Sequence, residues 1–358
     1  MTEPPRVELA HCVLPAGDLA ATMRFFIETL GFRLDAIMPA DDPRIARLSG
    51  HGLQLLLDVS HRGHAGVLRL GTVSDASREP IVAPNGTRIE FEPAMAPMHM
   101  PPLQSCLSIA RNDDSPAAWK TGRADMQYRD LIPDRQGGRF IASHIRIPHG
   151  GPVGDEVHHH AIQLQLIYCL RGWVRLVYED QGEPFVMHAG DCVLQPPHIR
   201  HRVLACSDGL EVIEISSPAE HMTLFDHEMQ LPTGRHLPQR DHAGQRFVLH
   251  QASQARWSQD ADAGWACRDL GISAATAGLA TARVLRRPEN GEPSTHATQQ
   301  DKGFAFAFVL EGSMGVHVGS LAPETLAAGD AFVIPAGTPQ TFANCSADWA
   351  LLQFFAPA

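Results

Sequence analysis

The chain has 358 residues, 44% of them apolar, with 40 acidic side chains against 29 Lys and Arg and a formal net charge of −11. That length supplies two or three hydrophobic cores, and the acidic balance argues against nucleic acid or an anionic membrane as partner, since either wants a basic surface. No apolar run approaches the roughly 20 residues of a membrane-spanning helix, and Met1-Thr2-Glu3-Pro4-Pro5 lacks a basic-then-apolar export signal; a cytoplasmic chain with a small-molecule partner is expected.

At the N-terminus, Val7 to Leu14 predicts a strand and Leu19 to Leu30 an amphipathic helix, with Asp18 as its N-cap and Gly31 as its stop. Strands follow at Phe32 to Ile37, Ala46 to Leu48 and Leu53 to Leu57, in the order βαβββ. Gly63-His64-Ala65 reads as the opening of a second such module and Pro84 to Phe91 as its last hairpin. This stretch resembles the glyoxalase or vicinal-oxygen-chelate superfamily, and the resemblance places ligands at His11, His64 and Glu90. The second module is too short to hold its helix and all its strands, so a truncated unit over 1–93, serving packing, dimerisation or substrate screening, is the competing expectation.

The Pro/Met-rich run Pro93 to Pro102 breaks regular structure and opens a linker over 94–118. A first barrel is expected over 119–218. Its strands include Met126 to Ile132 and Arg139 to Ile147. In the second of these, Arg139, Ile141, Ser143 and Ile145 share one face, and Phe140, Ala142, His144 and Arg146 share the other. The pattern leaves open which face is inward. If the latter, His144 or Arg146 could orient a substrate.

Next comes the most informative part of the chain. His158 and His160, two apart on a strand, share a face, and Gln165 follows at an odd spacing, so a turn or bulge must reset the alternation between them. After that reset Gln163 and Gln165 face together, which makes Gln163 a supporting or rival ligand. Downstream, Gly190-Asp191 turns the chain into an apolar run, Pro196-Pro197 fixes the next turn, and His198 and His201 follow. Three imidazoles and an amide oxygen suit one transition-metal ion.

These spacings resemble the two motifs of the cupin superfamily, small jelly-roll β-barrels. His158-x-His160, four residues, Gln165, six residues and Gly172 follow the first motif, with Gln165 in the place of Glu. Gly190, five residues, Pro196, His198, two residues and His201 follow the second, with His198 in the place of Gly. The resemblance implies His158, His160, Gln165 and His201 as ligands of one divalent ion. Gln for Glu leaves the site one unit more positive, so the ion is held less tightly and is the stronger Lewis acid.

A connecting segment over 219–262 carries dispersed His, Gln and Asp without ligand-like spacing. A second barrel, 263–358, repeats the grammar at Gly329 to Gln340, but His296 is joined only by Thr298, Ala305 and Gln340 at the matching places. One imidazole with a hydroxyl and an amide holds a transition metal poorly. The fold expected is therefore mainly β: two jelly-roll barrels, one with a live site and one silent, preceded by a small α+β glyoxalase-like domain.

Open metal positions suit a substrate with two adjacent oxygens. With Fe(II), the three-histidine resemblance implies a dioxygenase acting on a diketone, enediol or catechol-like compound and O2; with Mn, Ni or Zn, an isomerase, lyase or hydrolase. A non-catalytic small-molecule binder is the third class. Gln163, His198 and Tyr168 are the candidate catalytic side chains, with Glu214 another acid/base group. The seven cysteines are odd in number and scattered singly, which reads as reduced thiols in the cores rather than a disulfide framework. A homodimer is expected from exposed strand edges.

Overall fold

The computed structural model describes residues 6–73, 78–94, 98–113, 115–259, 265–288, 296–298 (backbone only) and 303–357. Gly291, which by its spacing of five residues to His296 reads as the opening of the second barrel's first motif, lies outside them. Two compact units result, Met1–Pro97 and Met98–Ala358.

In the first unit, strand Cys12–Pro15 leads into helix Leu19–Arg24, which continues as a π-helical turn over Phe25–Thr29. The Asp18 carboxylate accepts from the Ala21 N–H at 2.9 Å, and Gly31, at φ +77°, ends the helix. Strands Arg33–Met38, Ile45–Gly50 and Leu53–Asp58 complete the βαβββ order, and the first strand runs parallel to the last. The strand predicted from Val7 starts only at Cys12. A three-stranded sheet repeats the parallel pairing, Val67–Thr72 beside Arg88–Pro93, with no helix among the described residues between them. One core, including Leu14, Phe26, Leu48, Leu57 and Ile89, joins the two sheets.

The second unit is two β-sandwich barrels. The larger sheet of barrel 1 runs Val248–His250, Cys192–Leu194, Leu164–Arg171, Leu210–Ser217, Ile141–Ile147, Gln127–Asp130, Lys120–Thr121. Its opposing sheet runs Phe185–His188, Trp173–Tyr178, His201–Cys206, His158–His160, Thr223–Phe225. The alternation along these strands separates two environments. Leu164, Leu166, Tyr168, Ile213 and Ile215 face the other barrel, packing on Phe304, Phe306, Phe308 and Phe354. Each of those buried phenylalanines contributes about 2 kcal/mol over an exposed one. Gln165, Ile167, Val212 and Glu214 face the interior of barrel 1. The same alternation settles the open face of Ile141–Ile147: Ile145 and Ile147 point inward, whereas His144 points to the inter-barrel side, bonded to Arg129 and Glu211 and edge-on to Phe308.

Two segments read as connectors are woven into the sheets. Ser108–Ala110, in the expected linker, pairs with Ala331–Val333 of barrel 2, and Val248–His250, in the expected connecting segment, pairs with Cys192–Leu194 of barrel 1. Each covers an edge strand of the barrel it does not lead into, removing an edge that would otherwise recruit another chain. The glycine-aspartate turns fasten both additions. Gly190 (φ +92°) and Gly329 (φ +91°) adopt a left-handed conformation closed to most residues. Asp191 accepts from the N–H of His188 in its own hairpin and of Ala252 in the added segment, and Asp330 does the same with Ala327 and Asn112.

Candidate metal centre

Barrel 1 gathers His158, His160 and His201 at one end of its interior. All three are buried, with ligand atoms within 4.8 Å of one another, and among the described residues no other group of three such side chains forms. His158 stands directly opposite His201 across two paired strands, ring centroids 4.2 Å apart; His160 lies 5.1 and 5.3 Å from them. The reset expected before Gln165 is a crossover rather than a bulge: residues 161–163 carry the chain from one sheet to the other.

The outer nitrogen of each ring is already engaged. His158 Nδ1 meets the Glu156 carbonyl at 2.8 Å and His201 Nδ1 the Ile199 carbonyl at 3.0 Å; a carbonyl only accepts, so Nδ1 carries the proton and Nε2 keeps its lone pair. His160 Nδ1 meets the Thr223 hydroxyl at 3.0 Å. Burial pushes His160 down to about 2, lowers His158 with help from the Arg123 charge, and drives His201 far below the ordinary histidine range. Three neutral imidazoles facing one another are the donor set a transition-metal ion requires.

Around the triad the polar groups form one network. The Tyr178 hydroxyl donates to Gln195 Oε1 at 2.7 Å, which turns the Gln195 amide nitrogen toward Gln165 Oε1 (2.8 Å) and His201 Nε2 (3.0 Å). Gln165 also bonds the buried Glu214 carboxyl, which burial pushes up from its ordinary value. Arg123 pairs with buried Asp155 and donates to His158 Nε2 at 3.1 Å, a lone pair it would yield to an ion. Behind this polar end the interior turns apolar. Tyr178 stands opposite His201 and Leu176 opposite Val203, while Ile145 faces Val212 and Ile147 faces Leu210. The cavity enclosed is about 440 Å³.

The structure brings Gln165 into this cavity with the triad, but not the three side chains expected to act beside it. Tyr168 lies an odd number of residues from Gln165 and so faces barrel 2, where Arg268 donates to its hydroxyl at 3.2 Å. His198 is exposed on the outer side, its Nδ1 3.2 Å from that of His159. Gln163 sits at the crossover, its backbone bonded to Ser217 and Gln245, and its side chain does not line the cavity. Nor do His11, His64 and Glu90 converge: both Glu90 oxygens are taken, by Arg88 at 2.8 Å and Arg69 at 2.9 Å, and His64 is exposed on a loop.

Sequence reasoning missed Arg123, Gln195 and Tyr178, and also His221, Thr223 and Phe225, which the segment 219–262 contributes to the cavity wall. Gln195 alone had a signal, its place immediately before Pro196-Pro197. In barrel 2 the matching strand His296–Thr298 pairs with Gln340–Ala343.

The cupin domain model matches residues 143–216 and again 284–352. No curated protein sequence matches the chain. Among solved structures, a mutant of salicylate 1,2-dioxygenase from Pseudoaminobacter salicylatoxidans is similar in fold, with a TM-score of 0.52, 16% identity, and 73% of this chain and 86% of that one covered. Oxalate decarboxylase from Lactobacillus farciminis gives a TM-score of 0.48 and 14% identity over 67% of this chain and 83% of that one. Protein Ylba from E. coli gives 0.49 and 11% over 74% and 95%. No helix is long and apolar enough to cross a membrane among the described residues. The cupin domain model thus matches within each of the two barrels, and the fold is mainly β with two such barrels in tandem.

Proposed function

We propose that barrel 1 is the centre of a metal-dependent enzyme, with His158, His160 and His201 holding one divalent ion and Gln165 supplying an oxygen. The observation that carries this is the outward tethering of the buried rings: two carbonyls and a hydroxyl hold the Nδ1 atoms and leave the Nε2 atoms to converge. Fe(II) is the favoured ion and dioxygenation of a small oxygen-chelating substrate the favoured reaction; Mn, Ni and Zn suit the same donors. Such an ion, when bound, polarises a chelating substrate and, as Fe(II), exchanges electrons with O2.

The chain's own residues supply the rest. Arg123 sets a cation beside the triad, which draws a substrate whose oxygens are anionic, an enolate or a carboxylate. Gln195, oriented by Tyr178, presents N–H to oxygen at the polar end. The aliphatic wall keeps water from the reacting group. A protein named for a dioxygenase shares the fold, and that likeness extends to the fold alone. One observation favours a second reading, a non-redox Zn or Mn isomerase, lyase or hydrolase: the Glu214 carboxyl lines the cavity beside Gln165, where an acid/base group would reach a bound substrate.

In the same reading the N-terminal unit is a truncated glyoxalase-like module, supported by the parallel first-to-last strand pairing in both its sheets, and serves packing or dimerisation. Metal analysis of protein made in minimal medium, followed by oxygen uptake with diketones, catechols and hydroxy acids, tests the proposal. Iron with substrate-dependent oxygen uptake supports the dioxygenase; zinc or manganese with turnover but no oxygen consumption supports the second reading; protein that takes up no ion sinks both.

A further inference from the structure

We propose that the ligand of barrel 1 is amphiphilic, with an oxygen-chelating head at the histidine end and a hydrocarbon tail running into the barrel interior. This rests on the reading that the triad holds an ion and adds the class of substrate. The polar groups of the cavity are concentrated at one end. Going inward along the strands, His201 gives way to Val203, Tyr178 to Leu176 and then Val174, and Glu214 to Val212 and then Leu210. Two strand residues advance about 6.6 Å, so the aliphatic part is about two such steps deep.

That inner end is largely covered, with Ile147 and Val203 half-buried there. Val174, Leu176 and Leu210 are each only 4% exposed, whereas Arg123 and Phe225 at the histidine end are 31% (side chain) and 46% exposed. A head group alone would occupy the polar end and leave the aliphatic end to water, which finds no hydrogen-bond partner there.

Barrel 2 shows that this fold can fill the same volume. By strand register the counterparts of Val203 and Leu210 are Phe342 and Trp349, and that of Met126 is Trp265. These rings pack on one another, the indoles 4.9 Å apart and Trp265 stacked 6.0 Å from Phe342. Barrel 1 carries a thioether and two aliphatic side chains at the same three places and keeps about 440 Å³ open. The difference is one of side-chain bulk at three positions, and it yields a slot whose walls match a hydrocarbon.

The test is binding of straight-chain 2-oxo acids of increasing length to the metal-loaded protein, measured by calorimetry. Affinity is expected to rise about fourfold with each added methylene until the tail meets the covered end. Leu210→Trp, which installs the barrel 2 side chain, is expected to keep its metal content and lose the gain with length. Val203→Phe, copying Phe342, serves the same purpose should the first variant fail to fold. Equal affinity along the series, or long-chain binding undiminished in the folded variants, overturns the proposal. Displacement of an apolar fluorophore from metal-free protein by straight-chain carboxylates reads the tail slot separately. Length dependence there with no metal uptake would sink the ion reading and spare the slot; metal uptake without length dependence would do the reverse.

Discussion

The two barrels have one backbone plan and opposite interiors. Both carry the glycine-aspartate turn with the same two backbone bonds to the aspartate, and both accept a strand from the segment leading into the other. In barrel 1 the space behind the polar end is open. In barrel 2 Trp265, Phe342 and Trp349 occupy it, with Met314, Leu326 and Phe332 around them. Where Tyr178 stands opposite His201 in barrel 1, Val318 stands opposite Gln340 in barrel 2; where Glu214 enters the cavity, Gln353 accepts from Arg283 instead. Site and plug are alternative uses of one volume. A barrel interior that binds a ligand forgoes the packing that would fill it, and its partner barrel supplies that packing.

The sharpest break of this comparison is at the metal. His201→Ala is expected to abolish bound metal, since a buried two-histidine remnant with an amide has too few donors, while His296→Ala leaves the full complement; elemental analysis of both proteins decides it. Retention of a full equivalent in His201→Ala removes the triad from the argument. Next in size is stability. Trp349→Ala opens a cavity in a filled interior and should cost about 3–5 kcal/mol in urea denaturation. Leu210→Ala, at the matching place in barrel 1, enlarges a space already present and should cost less than about 3 kcal/mol, the transfer contribution alone. Equal costs would mean that barrel 1 is as tightly packed as barrel 2.

Much of this contrast was legible in the residues. Local turn chemistry marks both barrels, because Gly190 and Gly329 need a left-handed backbone and the prolines after each apolar run fix the next turn; strand alternation put His158 and His160 on one face. Parity also separated Tyr168 from Gln165, and applying it would have excluded Tyr168 at once. What stayed hidden depends on contacts far apart in sequence. Arg123 reaches His158 from a short 3-10 turn 35 positions earlier, and Thr223 reaches His160 from 63 positions later, neither within any repeating pattern. Ser108–Ala110 and Val248–His250 are short enough that only the edge they cover makes them strands. The three aromatic replacements in barrel 2 are visible in the sequence, but their meaning needs the register.

A smaller effect is expected at the outer tether. Thr223→Val removes the hydroxyl that meets His160 Nδ1 without changing the side chain's shape, and loss of such a partner lowers metal affinity by about 10–100-fold. A chelator competition assay reads this directly, and unchanged affinity would show that the ring is held by packing alone.

The least effect is expected where barrel 1 departs from its own motif. His198 sits at φ +59°, and its counterpart in barrel 2 is Gly337 at φ +76°, so the backbone there is left-handed in both, and only barrel 1 places a side chain on it. That side chain turns outward to His159 rather than inward to the histidine triad. His198→Gly relieves a backbone strain of about 1–2 kcal/mol, while it gives up one exposed hydrogen bond and frees the unfolded chain. These contributions oppose one another, so stability should move by less than about 1 kcal/mol and metal affinity should stay put. A loss of metal in this variant would return His198 to the site and place the wall of barrel 1 differently from where the strand alternation puts it.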